Sequence, residues 1–502
     1  TFELLRDITG LSDEVLLNQL EEALRGRILR EHKTSKEGTF LTFLHALVHE
    51  YLLQEISLIR RRKCHGRIAD LIQEKYPALA SSQPDKLAFH YLRAGVNREA
   101  LKYTLEAAES AERVYAHKDA KKLYEQALEL IEDDPALVSR VNERLGDLLF
   151  LSGQYEEARS IYDMALAKVP TDDRIRQSRL HRNISHTLTR QHRYEEALEA
   201  CNRAESALSP EPTEHTQEWR TEWVDIQIDR VMVRYWQGKV PEMVELVEKI
   251  RPTVEQYGTA LQRGRFYQCL VSVVLRRDRY VGSEEAVSSA QAALSATQES
   301  GNLREIAWSR FWLGFARLWS GNFEQAQEQL AKSLIEAERS GDLGIQARCL
   351  NYLALLHRKR GSVEESRRYI SDTLAVALTA QMPEYVGMAR GNLAWIAWRE
   401  RDLPRAEKEA RAALELLRTV PQGEIFAWTA VWPLIGTALA EGRLGVAIEN
   451  ARIMLRPRQQ PLPDALTAVL EEAIGTWEQN RPEITRAQLE HATQIAEQLG
   501  YL

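Results

Sequence analysis

The chain has 502 residues, too many for one compact core, and 44% of them are hydrophobic and 28% charged. A formal net charge of −7 gives no global attraction to nucleic acid or to anionic membranes. No apolar run reaches the roughly 18 residues of a membrane helix, and Cys64, Cys201, Cys269 and Cys349 are scattered without a CxxC pair, the pattern of reduced thiols in a cytoplasmic protein.

The first residues, TFELLRDITG, start inside a helical pattern with neither a signal peptide nor an initiator methionine, so a piece of a longer parent is expected. In LSDEVLLNQLEEALRGRILRE, Ser12 caps a helix with acidic residues in its first turn, and Gly26 closes it. The next stretch, to Leu53, reads as a strand, a polar turn from Lys33 to Gly38, a second strand and a helix. Helices followed by a short hairpin form the pattern of a winged helix, assigned to residues 1–60. A helical arm is assigned to 61–100. Within TFLHALVHEYLL, His45 and His49 stand four apart on one helix face. Cys64 and His65 could be drawn into a cluster with them, but the spacing fits no zinc module and no metal site is expected. The basic run Arg60–Lys63 opens a helix and reads as a solvated or intramolecular face, which disfavours nucleic-acid binding.

From residue 101 to 502 the chain is dominated by one repeat. RLGDLLFLSGQYEEARSIYDMALAKVP (144–170) places Gly146 and Ala158 where two antiparallel helices approach, and Tyr162 and Leu166 where space remains to be filled. Gly153 ends the first helix and Pro170 follows the second. YEEALEACNRA (194–204) and LGFARLWSGNFEQAQEQLAKSL (313–334) repeat the signature, with weaker copies around Ala120, Met243, Ala286, Ser366, Ala406, Ala447 and Ala487. The unit resembles the tetratricopeptide repeat (TPR). The fold class expected is therefore all-α, a right-handed superhelical solenoid of about ten TPR-like helix pairs after a small winged-helix-like domain. LSPEPTEHTQ (208–217) and RPRQQPLPD (456–464) read as long loops between repeats.

FLHALVHE (43–50), the Arg-rich helix start with Cys64–His65, and AFHYLRAG (88–95) occur in this order before the repeats. The set resembles STAND proteins, signal-transduction ATPases with numerous domains, in their MalT-like and cyclase-associated bacterial branch. The resemblance implies a sensor region that binds an inducer (a small molecule, peptide or protein) on the concave TPR surface. Binding would control ADP/ATP-dependent activation and oligomerisation of the parent. It also implies that His45 faces the nucleotide phosphate, with Ala46 where the family has aspartate. ADP or ATP with Mg is expected in the parent and no cofactor in this chain, since GxxxxGK[ST] is absent. The parent's own ATPase module is an expected intramolecular partner. Two other classes remain open: a free-standing TPR scaffold for protein partners, and a winged-helix DNA binder.

The repeats are rich in aromatics: eleven tryptophans occur. A single register for all repeats puts Trp308, Phe311, Trp312, Trp319, Arg348, Asn351, Tyr352, Asn392, Trp395, Trp398 and Trp432 on the inner face, with Arg182 and Asn183 in an earlier unit. Tyr235 and Trp236 add to the set. Aromatics offer contact area at small entropic cost, asparagine pairs with peptide groups and arginine with carboxylates or phosphates. Arg310 and Arg317 fall where the repeat expects core, so the 308–319 stripe is either a ligand groove or the packing face itself. HExxH, GxSxG and paired-carboxylate motifs are all missing, and no catalytic residue is expected in this chain.

Overall fold

The computed structural model describes residues 2–34, 38–209, 216–421 and 423–502. The tip of the expected polar turn and residues 210–215 of the first expected loop lie outside them. The described residues contain twenty-six α-helices and two short strands. Contacts divide the chain into two compact units, Thr1–Val141 and Asn142–Leu502.

In the first unit, helices Phe2–Thr9 and Asp13–Arg25 precede an antiparallel hairpin, Leu29–Thr34 with Gly38–Phe43, in which Leu29 pairs with Phe43 and Glu31 with Leu41. Helix Ala46–Glu55 follows, with His45 exposed at its N-cap and making no side-chain cap bond. Its neighbour His49 is also exposed, against the Phe43 ring. A core of Ala69, Ile72, Leu87, Ala88, Tyr91, Ala100 and Tyr103 joins helices Leu58–Lys75, Pro84–Ala94 and Asn97–Arg113. His65 and His90 meet there through their Nδ1 atoms at 2.9 Å. Burial pushes the His90 imidazole down to about 4, so that ring is neutral at neutral pH, and burial lowers His65 as well.

The second unit is an all-α solenoid of TPR-like helix pairs. Local chemistry fixes the helix ends. Asn302 and Asp342 cap helices Leu303–Trp319 and Leu343–Lys359, accepting from Glu305 N (3.1 Å) and Ile345 N (3.0 Å). Thr259 and Gln262 close a capping box before Ala260–Arg277. In most pairs a small residue in the first turn of the second helix is fully buried: Ala158, Ala197, Ala286, Ala326, Ser366, Ala406 and Ala447; in the pair Gln217–Gln237 with Val240–Tyr257 the place is held by Met243. In the last pair this place belongs to Thr485, not to Ala487, which is exposed. Helix Pro482–Gln498 begins two residues earlier than a repeat copy centred on Ala487 implies.

The coil brings distant repeats together. A Cβ on Gly153 would lie 3.0 Å from Ala380 Cα, and Gln460 donates to the Tyr280 carbonyl, 180 residues away, at 3.1 Å. The loop 456–464 thereby packs inward, and Trp428 Nε1 donates to Gln460 Oε1 at 2.9 Å.

Arg358 forms a second knot. It is 1% exposed and has no carboxylate partner among the described residues. Instead it donates to Thr429 O (2.7 Å), Tyr501 O (2.5 Å) and Asn392 Oδ1 (3.1 Å), between the faces of Trp395 and Trp428. Burial pulls the guanidinium down to about 9, and it remains charged at neutral pH. Arg358→Met strands those buried acceptors. We expect it to lower the stability of the full chain by about 2–4 kcal/mol in denaturant titrations, and an unchanged midpoint would show that the knot is dispensable.

Candidate functional site

The first helices of successive pairs line the inside of the coil: Arg174–Arg190, Gln217–Gln237, Ala260–Arg277, Leu303–Trp319, Leu343–Lys359 and Pro383–Arg399. Together with Phe150 of helix Pro135–Leu151 they line a cavity of about 180 Å³. Its route is oblique. The early helices contribute their last turns, through Thr189, Arg190, Tyr235 and Trp236, and the later helices their first turns, through Ile345, Arg348 and Tyr385. The middle helices cross it along their length, with Arg304, Glu305, Trp308, Trp312 and Phe315 all at the wall.

Nine of the residues lining it are Phe, Tyr or Trp. Trp308 stacks on Phe311 (centroids 5.1 Å apart, 12° between planes) and stands edge-on to Trp312 at 5.5 Å. Phe315 meets Tyr352 at 4.6 Å, and Tyr235 meets Trp312 at 6.0 Å. Phe311, Trp312 and Tyr352 are therefore both core and wall, whereas Trp308 and Trp236 are half-exposed. From Trp308 to Phe315 the stripe is cavity wall and packing face at once, whereas Trp319 lies outside the cavity.

Charges are threaded between the rings. Arg182 bonds Asp229 (2.7 Å), Glu222 (3.0 Å) and Asp225 (3.3 Å). Arg265 bonds Glu305 at 2.7 Å, and Arg304 bonds the capping residue Asp342 at 2.7 Å. His186 Nε2 adds a second partner for Asp229 at 2.8 Å. Arg190 and Arg348 have no carboxylate within ion-pair distance among the described residues. Arg190 lies over Phe150 (5.8 Å), and Arg348 between Trp308 (5.2 Å) and Tyr385 (5.3 Å), donating to the Gly344 carbonyl at 2.8 Å.

Of the residues singled out by the sequence, the cavity gathers Tyr235, Trp236, Trp308, Phe311, Trp312, Arg348 and Tyr352. The others lie elsewhere. Trp395 is packed against Ala354, Ile370 and Ala389, and Asn392 holds Arg358. Trp432 and Asn351 are fully buried, Trp398 abuts Gly436, and Trp319 stacks on Phe426. Arg182 is behind the wall in its acidic cluster, and half-buried Asn183 is not at the cavity. Arg190, Arg265, Arg304, Asp342 and Tyr385 escaped the sequence reading. The recurrence of GNLRE (301–305) and GDLGI (341–345) was the available signal, since it marks the first-turn positions that face inward. The described residues hold no group of three or more side chains fit for a metal ion, and no helix among them is long and apolar enough to cross a membrane.

Residues 137–209 match the tetratricopeptide repeat family. No curated protein sequence matches the chain. Among solved structures it is similar to a Rap protein complexed with competence and sporulation factor (13% identity, TM-score 0.47, covering 70% of this chain and 96% of that one). It is also similar to a STAND protein with a tetratricopeptide repeat sensor from Pyrococcus horikoshii (14% identity, TM-score 0.40, 82% and 60% covered). A third is aspartyl phosphate phosphatase F from Bacillus subtilis (14% identity, TM-score 0.42, 72% and 95% covered).

Asp229 ties the wall together electrostatically. Burial opposes its ionisation, but the charges of His186 and Arg182 prevail and hold its carboxyl at about 2, below the usual 3.8. A depressed carboxyl contributes stability that is present above pH 3.8 and lost as pH falls toward 2. Asp229→Asn is expected to cost about 2 kcal/mol at pH 7 and almost nothing near pH 2, as read from urea midpoints across pH.

Proposed function

We propose that the chain is the inducer-binding sensor region of a STAND-type signal-transduction regulator acting in the cytoplasm. One observation carries this reading: the cavity, lined by six inner helices, is walled by half-exposed and buried aromatics from four of them and includes cations without carboxylate partners. A packing core has no use for an open space among such groups, whereas a ligand gains aromatic contact and charge pairing there. A ligand touching helices from 174–190 to 383–399 bridges the coil, and its preference for one state of the coil is the coupling free energy such a regulator needs. The chain itself performs no chemistry in this reading, and ADP or ATP with Mg belongs to the parent's ATPase module.

The TPR-scaffold alternative draws on a different observation. In the first unit Leu47 is 78% exposed, and Tyr51, Leu58 and Ile59 are also largely exposed. An apolar surface of this kind suits another protein. In the sensor reading, that other protein is the ATPase module of the same parent.

Two measurements test the reading. A metabolite and peptide library screened by thermal shift and tryptophan emission should yield a ligand whose affinity falls about tenfold or more in Trp308→Ala, because a wall aromatic is lost. Ligands that ignore Trp308 would remove the cavity from consideration. In a chain that carries the P-loop module, His45→Ala should speed ADP release and raise basal activity. Equal ADP retention in both proteins would refute the role of His45.

A further inference from the structure

Six arginines stand along the inner helices near the cavity, and they fall into two groups. Arg182, Arg265 and Arg304 each reach a carboxylate at 2.7 Å. Arg190, Arg348 and Arg276 have none within ion-pair distance among the described residues. Arg348 is 2% exposed. Arg276 is also buried, and its Nε and Nη1 atoms find no hydrogen-bond acceptor. It lies over the rings of Tyr235 (4.2 Å) and Tyr280 (5.4 Å) and faces a recess of about 40 Å³. Tyr235, Tyr352 and Tyr385 line both the recess and the main cavity, so the two spaces adjoin.

Arg190 and Arg348 line the end of the cavity beside Tyr385, and Arg276 lines the adjoining recess. Two carboxylates stand nearby. Asp342 is committed to Arg304 at 2.7 Å and to the helix cap, and Glu384 lies 3.6 Å from His192. Burial and the like charge of Arg348 both push the Arg190 guanidinium down, whereas Tyr385 and Glu384 hold Arg348 up, and Tyr280 and Tyr235 hold Arg276 up, against their burial. Buried guanidinium groups are costly without an anion. The three paired arginines show that this fold can supply carboxylates where it needs them.

We propose that this end of the cavity receives the acid group of a small organic anion, a carboxylate or phosphate ester on a flat apolar body, with Arg348, Arg190 and Arg276 as its counter-ions and Trp308 and Trp236 against its body. This rests on the sensor reading and names its ligand class. Guanidinium matches both head groups in bidentate geometry, and the aromatic faces that hold the guanidinium planes also orient them. A volume of about 180 Å³ limits the body to something smaller than a drug-sized molecule.

The test uses the full 502-residue chain with benzoate, phenyl phosphate and inorganic phosphate as probes and benzamide as the neutral counterpart. Binding is read from tryptophan emission and thermal shift at two salt concentrations. The expected result is at least tenfold tighter binding of benzoate or phenyl phosphate than of benzamide, with the difference abolished in Arg348→Met. Which of the two binds more tightly identifies the head group. Without any probe, Arg276→Met should raise the melting temperature, since it removes a buried charge that lacks acceptors, whereas Arg304→Met should lower it by stranding Asp342. Equal binding of benzoate and benzamide, binding unaffected by Arg348→Met, or a lower melting temperature in Arg276→Met would each overturn the anion assignment. The sensor reading fails separately, if the library ligands prove indifferent to Trp308.

Discussion

Close approach of the two helices in each pair is the constraint on which the second unit depends. It is enforced from both sides. The second helix offers a fully buried small residue, such as Ala158, Ala286 or Ala326. The first helix offers a glycine where the partner's side chain leaves no room: a Cβ on Gly146 would sit 2.5 Å from the Tyr162 ring, on Gly314 2.8 Å from Leu330, and on Gly387 2.9 Å from Leu417. Small polar residues seal some of these contacts, as Ser333 Oγ donates to Ala307 O at 2.7 Å and Ser366 Oγ to Ala354 O at 3.1 Å. The small rotations from one pair to the next accumulate into a coil.

A coil tight enough to bring Gly153 against Ala380 has an interior partly withdrawn from water. Charge pairs in such an interior are screened less and desolvated more than on a surface. That explains the severity of the local solutions. Arg182 has three carboxylates, Asp342 serves a helix cap and an arginine together, and Arg358, with no carboxylate, is satisfied by carbonyl oxygens and indole faces. Arg358 leaves only its Nε without an acceptor, whereas Arg276 leaves both Nε and Nη1.

The repeat architecture was legible because it is written in residue size. Ala158, Ala197 and Ala326 recur at positions where volume alone decides, and a periodic list of small residues survives in one sequence. The register failed only at Ala487, where a helix start shifted by two residues and Thr485 took the buried place. The candidate site was legible in part, for a geometric reason. One set of inner-face positions describes a groove parallel to the solenoid axis, but the cavity runs obliquely. Trp308 and Tyr352 lie on both lines, Trp398 and Trp432 lie only on the first, and Arg190 and Tyr385 only on the second. Obliquity is a property of the accumulated rotation between pairs, and no single repeat contains it. The partners of Arg358 were hidden for a similar reason, since Thr429 and Tyr501 come from 71 and 143 residues away.

A solenoid held only by neighbour contacts would loosen repeat by repeat, and a ligand on one face would stabilise only the repeats it touches. This coil is different because Gln460 reaches Tyr280 and Arg358 reaches Tyr501, so distant repeats share the cost of opening. Adding such links to a linear array raises its cooperativity, since separating any one pair then strains the closure as well. The cavity wall draws on helices that span the same range of repeats as the Gly153–Ala380 approach. Whatever fills the cavity therefore acts on the closure as a whole, and the free energy of a small ligand is delivered to the coil rather than to a single helix pair.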